Sequence, residues 1–216
     1  MIKRLDIKTD TNNNFIGCWK IDKEICNQII SFYENNIDDV RPGEAGSKVN
    51  LEVKKSEDIT ISPKDLVEEK YHCFQPYMKN LLDCYNDYIK QWSALKNLFS
   101  VVECSSFNIQ KYYPGGHFKK FHMERTNILN SSRIFAWMTY LNEVEEGGNT
   151  DFLYYDLSIK PELGKTIIWP AEWTHAHKGN IVEKGLKYVI TGWFHMPDEL
   201  DYNPQSPTYG VPLKKE

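Results

Sequence analysis

Apolar residues recur at a helical period in the first hundred residues of the chain and at a strand period in the second hundred. In Asp22–Asn36 they repeat every three or four positions, and Asp22 stands where it can cap the first turn. A second helical pattern starts at Ser62-Pro63 and continues to Trp92, with a kink expected at Pro76. The pattern predicts two amphipathic helices ahead of a β region.

After residue 100 the chain consists of short runs rich in aromatic and β-branched residues, separated by Gly, Asn or Pro. Because no helical pattern lies between them, these runs predict an antiparallel barrel or jelly roll. The predicted strands are Val101–Tyr113, Phe118–Glu124, Arg133–Asn142, Lys165–Pro170 and Lys187–His195.

The length of 216 residues indicates one domain with appendages. We divide it into a helical support region (1–100), a β core (101–196) and an extended, proline-containing tail (197–216). The polar segment Asn35–Ile61 shows little periodicity and is expected to be a loop. Such a loop either covers a substrate or is a solvated connection.

Composition narrows the possible partners. Lys+Arg number 26 against 30 Asp+Glu, a net charge of −4, so no general basic field exists to bind nucleic acid. No run of eighteen apolar residues occurs and the N-terminus is polar, so we expect a soluble, cytoplasmic protein with no membrane partner. The five cysteines form no C-x-x-C pair and are expected to be reduced, structural thiols.

The candidate chemistry begins at His122-Met123-Glu124. Residues i and i+2 of a strand project from one face, so the imidazole of His122 and the carboxylate of Glu124 should converge. They would supply two of the three ligands of a facial metal site. The third should be a histidine from a distant strand, either His175 or His177, and the facial-site argument alone does not choose between them.

Taken together, these residues resemble the prolyl 4-hydroxylase-like branch of the Fe(II)- and 2-oxoglutarate-dependent oxygenases, over about residues 105–196. The resemblance implies an α+β fold with a mainly β core: a double-stranded β-helix, or cupin-like jelly roll, braced by the N-terminal helices. The motifs that carry it are Gln110-Lys111-Tyr112, Pro114-Gly115-Gly116, His122-Met123-Glu124, Arg133–Leu141 and Glu146-Gly147-Gly148-Asn149-Thr150.

The spacing of residues near the C-terminal end of the β core also matches this branch. Its second metal-binding histidine precedes by ten residues a basic residue that binds the far carboxylate of 2-oxoglutarate, and a Trp follows six residues later. His177, Lys187 and Trp193 have these intervals, whereas His175 lies twelve residues before Lys187 and would be a neighbour of the ligand. One departure is Glu124, where the prolyl hydroxylases usually carry Asp.

The resemblance implies Fe(II), 2-oxoglutarate and O2 as reactants at the centre, with ascorbate as the reductant. Arg133 either contacts a peptide substrate or is solvated, and Trp193 either lines the site or fills the barrel. Tyr113 could take the role given to Tyr112 because the following turn is one residue longer than in animal and algal prolyl hydroxylases. The implied ligands are His122, Glu124 and His177 for iron and Tyr112, Thr150 and Lys187 for 2-oxoglutarate.

The resemblance implies hydroxylation of a C–H bond, foremost of a prolyl residue in a protein or peptide, with release of succinate and CO2. Two alternatives stay open. One is a non-catalytic cupin-like barrel that binds a metal or a small acid. The other is an oxygenase that acts on a free amino acid or another small molecule.

Overall fold

Short antiparallel strands dominate the computed structural model, which describes residues 2–8, 13–46, 48–99 and 101–197. Within these ranges the α-helices are α1 (Lys23–Asn35), α2 (Gln75–Gln91) and α3 (Leu95–Leu98). The strands are β1 (Lys3–Arg4), β2 (Gly17–Lys20), β3 (Arg41–Pro42), β4 (Glu44–Ala45), β5 (Lys48–Val49), β6 (Lys54–Lys55), β7 (Glu57–Ile61), β8 (Glu103–Cys104), β9 (Phe107–Tyr112), β10 (His117–His122), β11 (Arg133–Tyr140), β12 (Glu146–Gly147), β13 (Thr150–Phe152), β14 (Leu157–Ile159), β15 (Lys165–Pro170), β16 (His177–Gly179), β17 (Val182–Lys184) and β18 (Lys187–His195).

Two sheets carry the fold. The larger has nine strands in the order β1-β2-β15-β11-β18-β9-β7-β3, with β8 paired to β18. The smaller has five strands in the order β14-β13-β16-β10-β6. The predicted mainly β core of antiparallel strands is confirmed, and the strands predicted at 165–170 and 187–195 have the bounds expected.

The central strand β11 shows how the larger sheet is covered on both faces. Its alternate residues point to opposite sides, as strand geometry requires. Phe135 and Trp137 pack against the helices, with the Trp137 ring centroid 5.9 Å from that of Tyr77 on α2. Met138 and Tyr140 face a second apolar cluster that fills the space between the two sheets. The helices therefore brace the outer face and leave the inner face for a site.

Helix α1 is as predicted, since the Asp22 side chain accepts a hydrogen bond from the Glu24 N–H at 2.7 Å. The second helical pattern was wrong in detail. Ser62 caps a 3-10 helix at Pro63–Val67, a second 3-10 helix follows, and α2 begins only at Gln75. Pro76 lies in the first turn of α2, where a missing N–H costs no hydrogen bond, so it starts the helix and does not kink it.

The loop expected at Asn35–Ile61 is also wrong, because this segment contains five of the strands. Strand β7 pairs with β9 in the larger sheet and buries Ile59 and Ile61, while β6 pairs with β10 in the smaller one. The segment joins the two sheets along one side of the barrel. The support region 1–100 therefore also supplies strands to the larger sheet.

The remaining expectations concern the termini and the thiols. The predicted tail lies outside the described residues except for Pro197. Across the described ranges, no helix is both long enough and apolar enough to cross a membrane. All five cysteines are free, and burial raises the pKa of Cys18 and of Cys26 to about 12, so both thiols stay protonated and unreactive.

Candidate functional site

Two histidines and one carboxylate meet where β10 and β16 pair. His122 and His177 are direct partners across these antiparallel strands, and Glu124 lies just beyond the end of β10. The Glu124 Oε1 atom lies 3.2 Å from His177 Nε2 and 3.9 Å from His122 Nε2. One donor atom from each residue falls within 4.8 Å of the others, a spacing that suits a single metal ion.

Backbone carbonyls orient both imidazoles. His122 Nδ1 lies 3.0 Å from the carbonyl oxygen of Lys120, and His177 Nδ1 lies 3.0 Å from that of His175. A carbonyl oxygen only accepts, so each Nδ1 carries a proton and Nε2 is the ring nitrogen left to bind a metal. This is the usual support of a metal-bound histidine, and the donor set fits a divalent transition metal such as iron.

The protonation states agree with this assignment. Burial, together with the nearby His177, lowers the pKa of His122 to about 4, so its imidazole is neutral near pH 7. Burial alone would raise the pKa of Glu124, but hydrogen bonds and charge from His177, with His122 and Trp193, lower it to about 2. The cluster therefore offers a neutral imidazole at His122 and an anionic carboxylate at Glu124.

His175 is placed outside this cluster. Its Nε2 lies 2.8 Å from the carbonyl oxygen of Asn14, and its Nδ1 lies 3.0 Å from the hydroxyl of Thr174. Both ring nitrogens are thus engaged away from Glu124. The structure brings His177, and not His175, to the other two predicted ligands.

A buried lysine lies in the same interior. Lys187 is 4% exposed, and its ammonium donates to the Gly148 carbonyl oxygen at 2.6 Å. Among the described residues no carboxylate forms an ion pair with it, and burial lowers its pKa to about 7. A buried cation without a counter-charge is costly, so the pocket around it is suited to an anionic ligand.

The Gly147-Gly148 turn makes room for this lysine. Both residues have positive φ, +76° and +71°. A Cβ on Gly147 would lie 2.3 Å from the Ile181 carbonyl oxygen, and one on Gly148 would lie 3.3 Å from Lys187 Cδ. The two glycines therefore allow the turn to pass close to Lys187 and to present a carbonyl oxygen to it.

Two tyrosines and a threonine line the lysine pocket. Tyr112 is the strand partner of Lys187, and its ring centroid lies 5.3 Å from Lys187 Nζ, whereas Tyr113 is 45% exposed. Thr150 is buried, and its hydroxyl oxygen accepts from the Tyr140 hydroxyl at 2.6 Å. Tyr140 was not among the predicted site residues, although alternation along β11 places it on the inner face.

A buried polar cluster behind Tyr112 was also missed. The Tyr112 hydroxyl donates to Gln110 Oε1 at 2.7 Å, and the Gln110 amide donates to Asp58 Oδ2 at 3.2 Å. The Asp58 carboxylate also accepts from Lys54 Nζ at 2.6 Å and from the Ser56 hydroxyl at 2.7 Å. Lys54, Ser56 and Asp58 are therefore linked to Tyr112 through Gln110.

Arg133 and Trp193 lie together beside Glu124. The Trp193 indole N–H donates to Glu124 Oε2 at 2.7 Å, and the Arg133 guanidinium donates to the Glu124 carbonyl oxygen at 3.1 Å. Both side chains are half-buried. Trp193 also packs against the inner apolar cluster, so its ring and its N–H have different partners.

The fold is a double-stranded β-helix, and its interior contains a histidine–carboxylate cluster with the spacing to hold a metal ion. Residues 107–195 match the family model of the 2OG-Fe(II) oxygenase superfamily. The chain is 30% identical over 131 residues to prolyl 4-hydroxylase 13 of Arabidopsis thaliana. That match covers 49% of this chain and 48% of the plant protein, so the chain spans about half the length of this curated relative.

Solved structures agree with the fold assignment. A viral collagen prolyl hydroxylase from Paramecium Bursaria Chlorella virus-1, solved as a 2OG complex, superposes with a TM-score of 0.56 at 18% identity, over 89% of this chain and 94% of that one. A prolyl hydroxylase from Trichoplax adhaerens, in complex with a hypoxia inducible factor peptide fragment, superposes with a TM-score of 0.65 at 14% identity. The match covers 86% of this chain and 85% of that one. The predicted double-stranded β-helix is confirmed.

Proposed function

We propose that this protein is an Fe(II)- and 2-oxoglutarate-dependent oxygenase that hydroxylates a C–H bond and releases succinate and CO2. One observation carries the proposal: the histidine–carboxylate cluster and the Lys187 ammonium, which has no carboxylate partner among the described residues, face the same interior between the sheets. A histidine–carboxylate cluster alone would be compatible with many kinds of metal-binding protein. The buried cation adds a reason for a dicarboxylic 2-oxo acid to bind beside it.

In this proposal His122, Glu124 and His177 hold the iron. Because only three protein side chains would hold the iron, it would keep room for the 2-oxo acid and for dioxygen. Bound iron supplies the activation of dioxygen, with 2-oxoglutarate as the source of electrons. Ascorbate is the proposed reductant that keeps the iron ferrous.

Lys187, Thr150 and Tyr112 form the proposed diacid pocket. The Lys187 ammonium would pair with the far carboxylate of 2-oxoglutarate, replacing the uncompensated charge with a charge-assisted hydrogen bond. Thr150 receives its own hydrogen bond from Tyr140, so its hydroxyl proton is available to the same carboxylate. The five-carbon diacid 2-oxoglutarate is the proposed ligand of this pocket.

The proposed substrate is a prolyl residue in a peptide or protein. Support comes from the matched relatives, which are named as prolyl hydroxylases, one of them solved with a peptide fragment. Arg133 and Trp193 lie beside Glu124 and are proposed to border the peptide. Both side chains keep some exposure, as a substrate-facing edge requires.

The substrate proposal is tested by incubating the protein with iron, 2-oxoglutarate, ascorbate and a panel of proline-containing peptides, followed by mass spectrometry. We expect the gain of one oxygen atom on a prolyl residue. Peptides with alanine in place of proline, and the His122→Ala variant, are the matched controls. Oxygen transferred only to a free amino acid or another small molecule would overturn the prolyl assignment while keeping the oxygenase class.

A further inference from the structure

The two oxygens of Glu124 have different partners. Oε1 is the atom that faces both histidines, 3.2 Å from His177 Nε2 and 3.9 Å from His122 Nε2. Oε2 accepts the hydrogen bond from Trp193 Nε1 at 2.7 Å. An indole N–H is a donor only, so it fixes which carboxylate oxygen is turned away from the metal position.

Arg133 holds this arrangement from the other side. Its guanidinium carbon lies 3.6 Å from the centroid of the Trp193 ring, a close cation–π contact. Its Nη1 donates to the Glu124 carbonyl oxygen at 3.1 Å and lies 3.8 Å from Glu124 Oε2. Arg133 and Trp193 come from neighbouring strands, β11 and β18, whose register shifts between Arg133 and Phe135.

The arrangement matters because glutamate has one more rotatable bond than aspartate, and a free carboxylate can bind a metal through both oxygens. Binding through both would occupy one of the three positions that a facial cluster leaves open. The 2-oxo acid needs two of these positions and dioxygen needs one. A glutamate ligand in this site is therefore compatible with the reaction only when its second oxygen is held elsewhere.

We propose that Trp193, backed by Arg133, is a positioning residue that keeps Glu124 a one-oxygen ligand and so preserves the position needed by the 2-oxo acid. This inference rests on the metal site of the proposed function. Trp193 does not act on the reacting atoms; it acts through Glu124. The longer side chain of Glu124 and the Trp193 indole that binds its Oε2 atom therefore act together.

The test uses the full chain loaded with Co(II) in place of iron, so that no turnover is needed. In Trp193→Phe the ring remains but the N–H is lost. Trp169→Phe is the matched control, because Trp169 stands edge-on to His177 at 5.0 Å between ring centroids. Its indole nitrogen has no hydrogen-bond partner among the described residues. Calorimetry measures 2-oxoglutarate binding, and X-ray absorption counts the carboxylate oxygens on cobalt.

We expect Trp193→Phe to show a second carboxylate oxygen on cobalt and to bind 2-oxoglutarate about tenfold or more weakly, while Trp169→Phe matches the parent protein. Unchanged binding and an unchanged cobalt spectrum in Trp193→Phe would overturn the inference. If Trp193→Phe does not fold, Arg133→Met provides the test. Weaker 2-oxoglutarate binding in this variant would support the positioning role of Trp193 and Arg133, and parent-like binding would refute it. Failure of the parent protein itself to bind 2-oxoglutarate would instead reject the proposed function.

Discussion

The hydroxyl of Tyr140 donates to the hydroxyl oxygen of Thr150 at 2.6 Å, which leaves the Thr150 proton for another acceptor. We propose that this acceptor is the far carboxylate of 2-oxoglutarate. A hydroxyl that already accepts one hydrogen bond is a stronger donor in the next, so the tyrosine and the threonine act as a pair.

Removal of the Thr150 hydroxyl should weaken diacid binding. We expect Thr150→Val to raise the dissociation constant for 2-oxoglutarate about tenfold or more, since a hydrogen bond to a charged group is lost. Tyr113→Phe is the control, because this hydroxyl belongs to a residue that is 45% exposed outside the pocket. Calorimetry on the metal-loaded protein measures the 2-oxoglutarate dissociation constant of both variants. Equal losses in the two variants would refute the role of Thr150.

Replacement of Lys187 should separate stability from binding. Burial without a counter-charge lowers the pKa of Lys187 from 10.5 to about 7, so the charged form is costly in the folded protein. We therefore expect Lys187→Met to raise the melting temperature near pH 7 while abolishing 2-oxoglutarate binding. Retained binding in this variant would place the diacid elsewhere.

The lowered pKa of Lys187 makes both the stability of the protein and its diacid binding depend on pH. Between pH 7 and pH 10 the unfolded chain holds a proton on Lys187 that the folded protein has lost, so the contribution of Lys187 to stability rises with pH in this window. Diacid binding needs the ammonium form, so it should weaken as pH rises above 7. Calorimetry across this range checks the trend, and Lys187→Met should lose the stability component.

The two histidines after β15 should respond differently to substitution. We expect His177→Ala to abolish metal binding, because its Nε2 faces Glu124. His175→Ala should only weaken it, through loss of the contacts to Asn14 and Thr174 that hold the segment. Metal titration of both folded variants is the measurement. The reverse order would remove the ligand assignment.

The buried Lys54–Asp58 pair should be important for folding. Asp58→Asn leaves a buried ammonium without its counter-charge, which should lower the free energy of unfolding by about 3–5 kcal/mol. Lys54→Met combined with Asp58→Asn removes both charges and should restore most of the loss. Urea denaturation gives the values. A loss below about 1 kcal/mol in the single variant would mean that the pair behaves as an exposed one.

The sequence predicted the elements whose signals are local. The cap at Asp22 and the apolar spacing after it are read directly, and so are the alternating residues of β11 and β18. The strand β7 was missed because its apolar residues are few and its pairing partner, β9, is almost fifty residues away. Helical spacing before Gln75 was read as one helix because a 3-10 helix keeps a similar period.

In the site, too, the features with local sequence signals could be predicted and those that depend on long-range contacts could not. His122 and Glu124 are close in sequence, so their convergence could be predicted, although Glu124 lies beyond the strand and not within it. Lys54 and Asp58 look like ordinary exposed charges in sequence. They are buried only because β6 and β7 join different sheets, and this depends on contacts that no local pattern contains.

We propose that the histidine–carboxylate cluster and Lys187 together bind the 2-oxoglutarate that the protein consumes. The most direct test is succinate formation by the purified protein with iron(II), ascorbate and 2-oxoglutarate under air, with and without a proline-rich peptide. We predict iron-dependent succinate that disappears in His122→Ala and increases with the peptide. No succinate under any of these conditions, from protein shown by calorimetry to bind iron and 2-oxoglutarate, would contradict the account and favour a barrel that binds both without turnover.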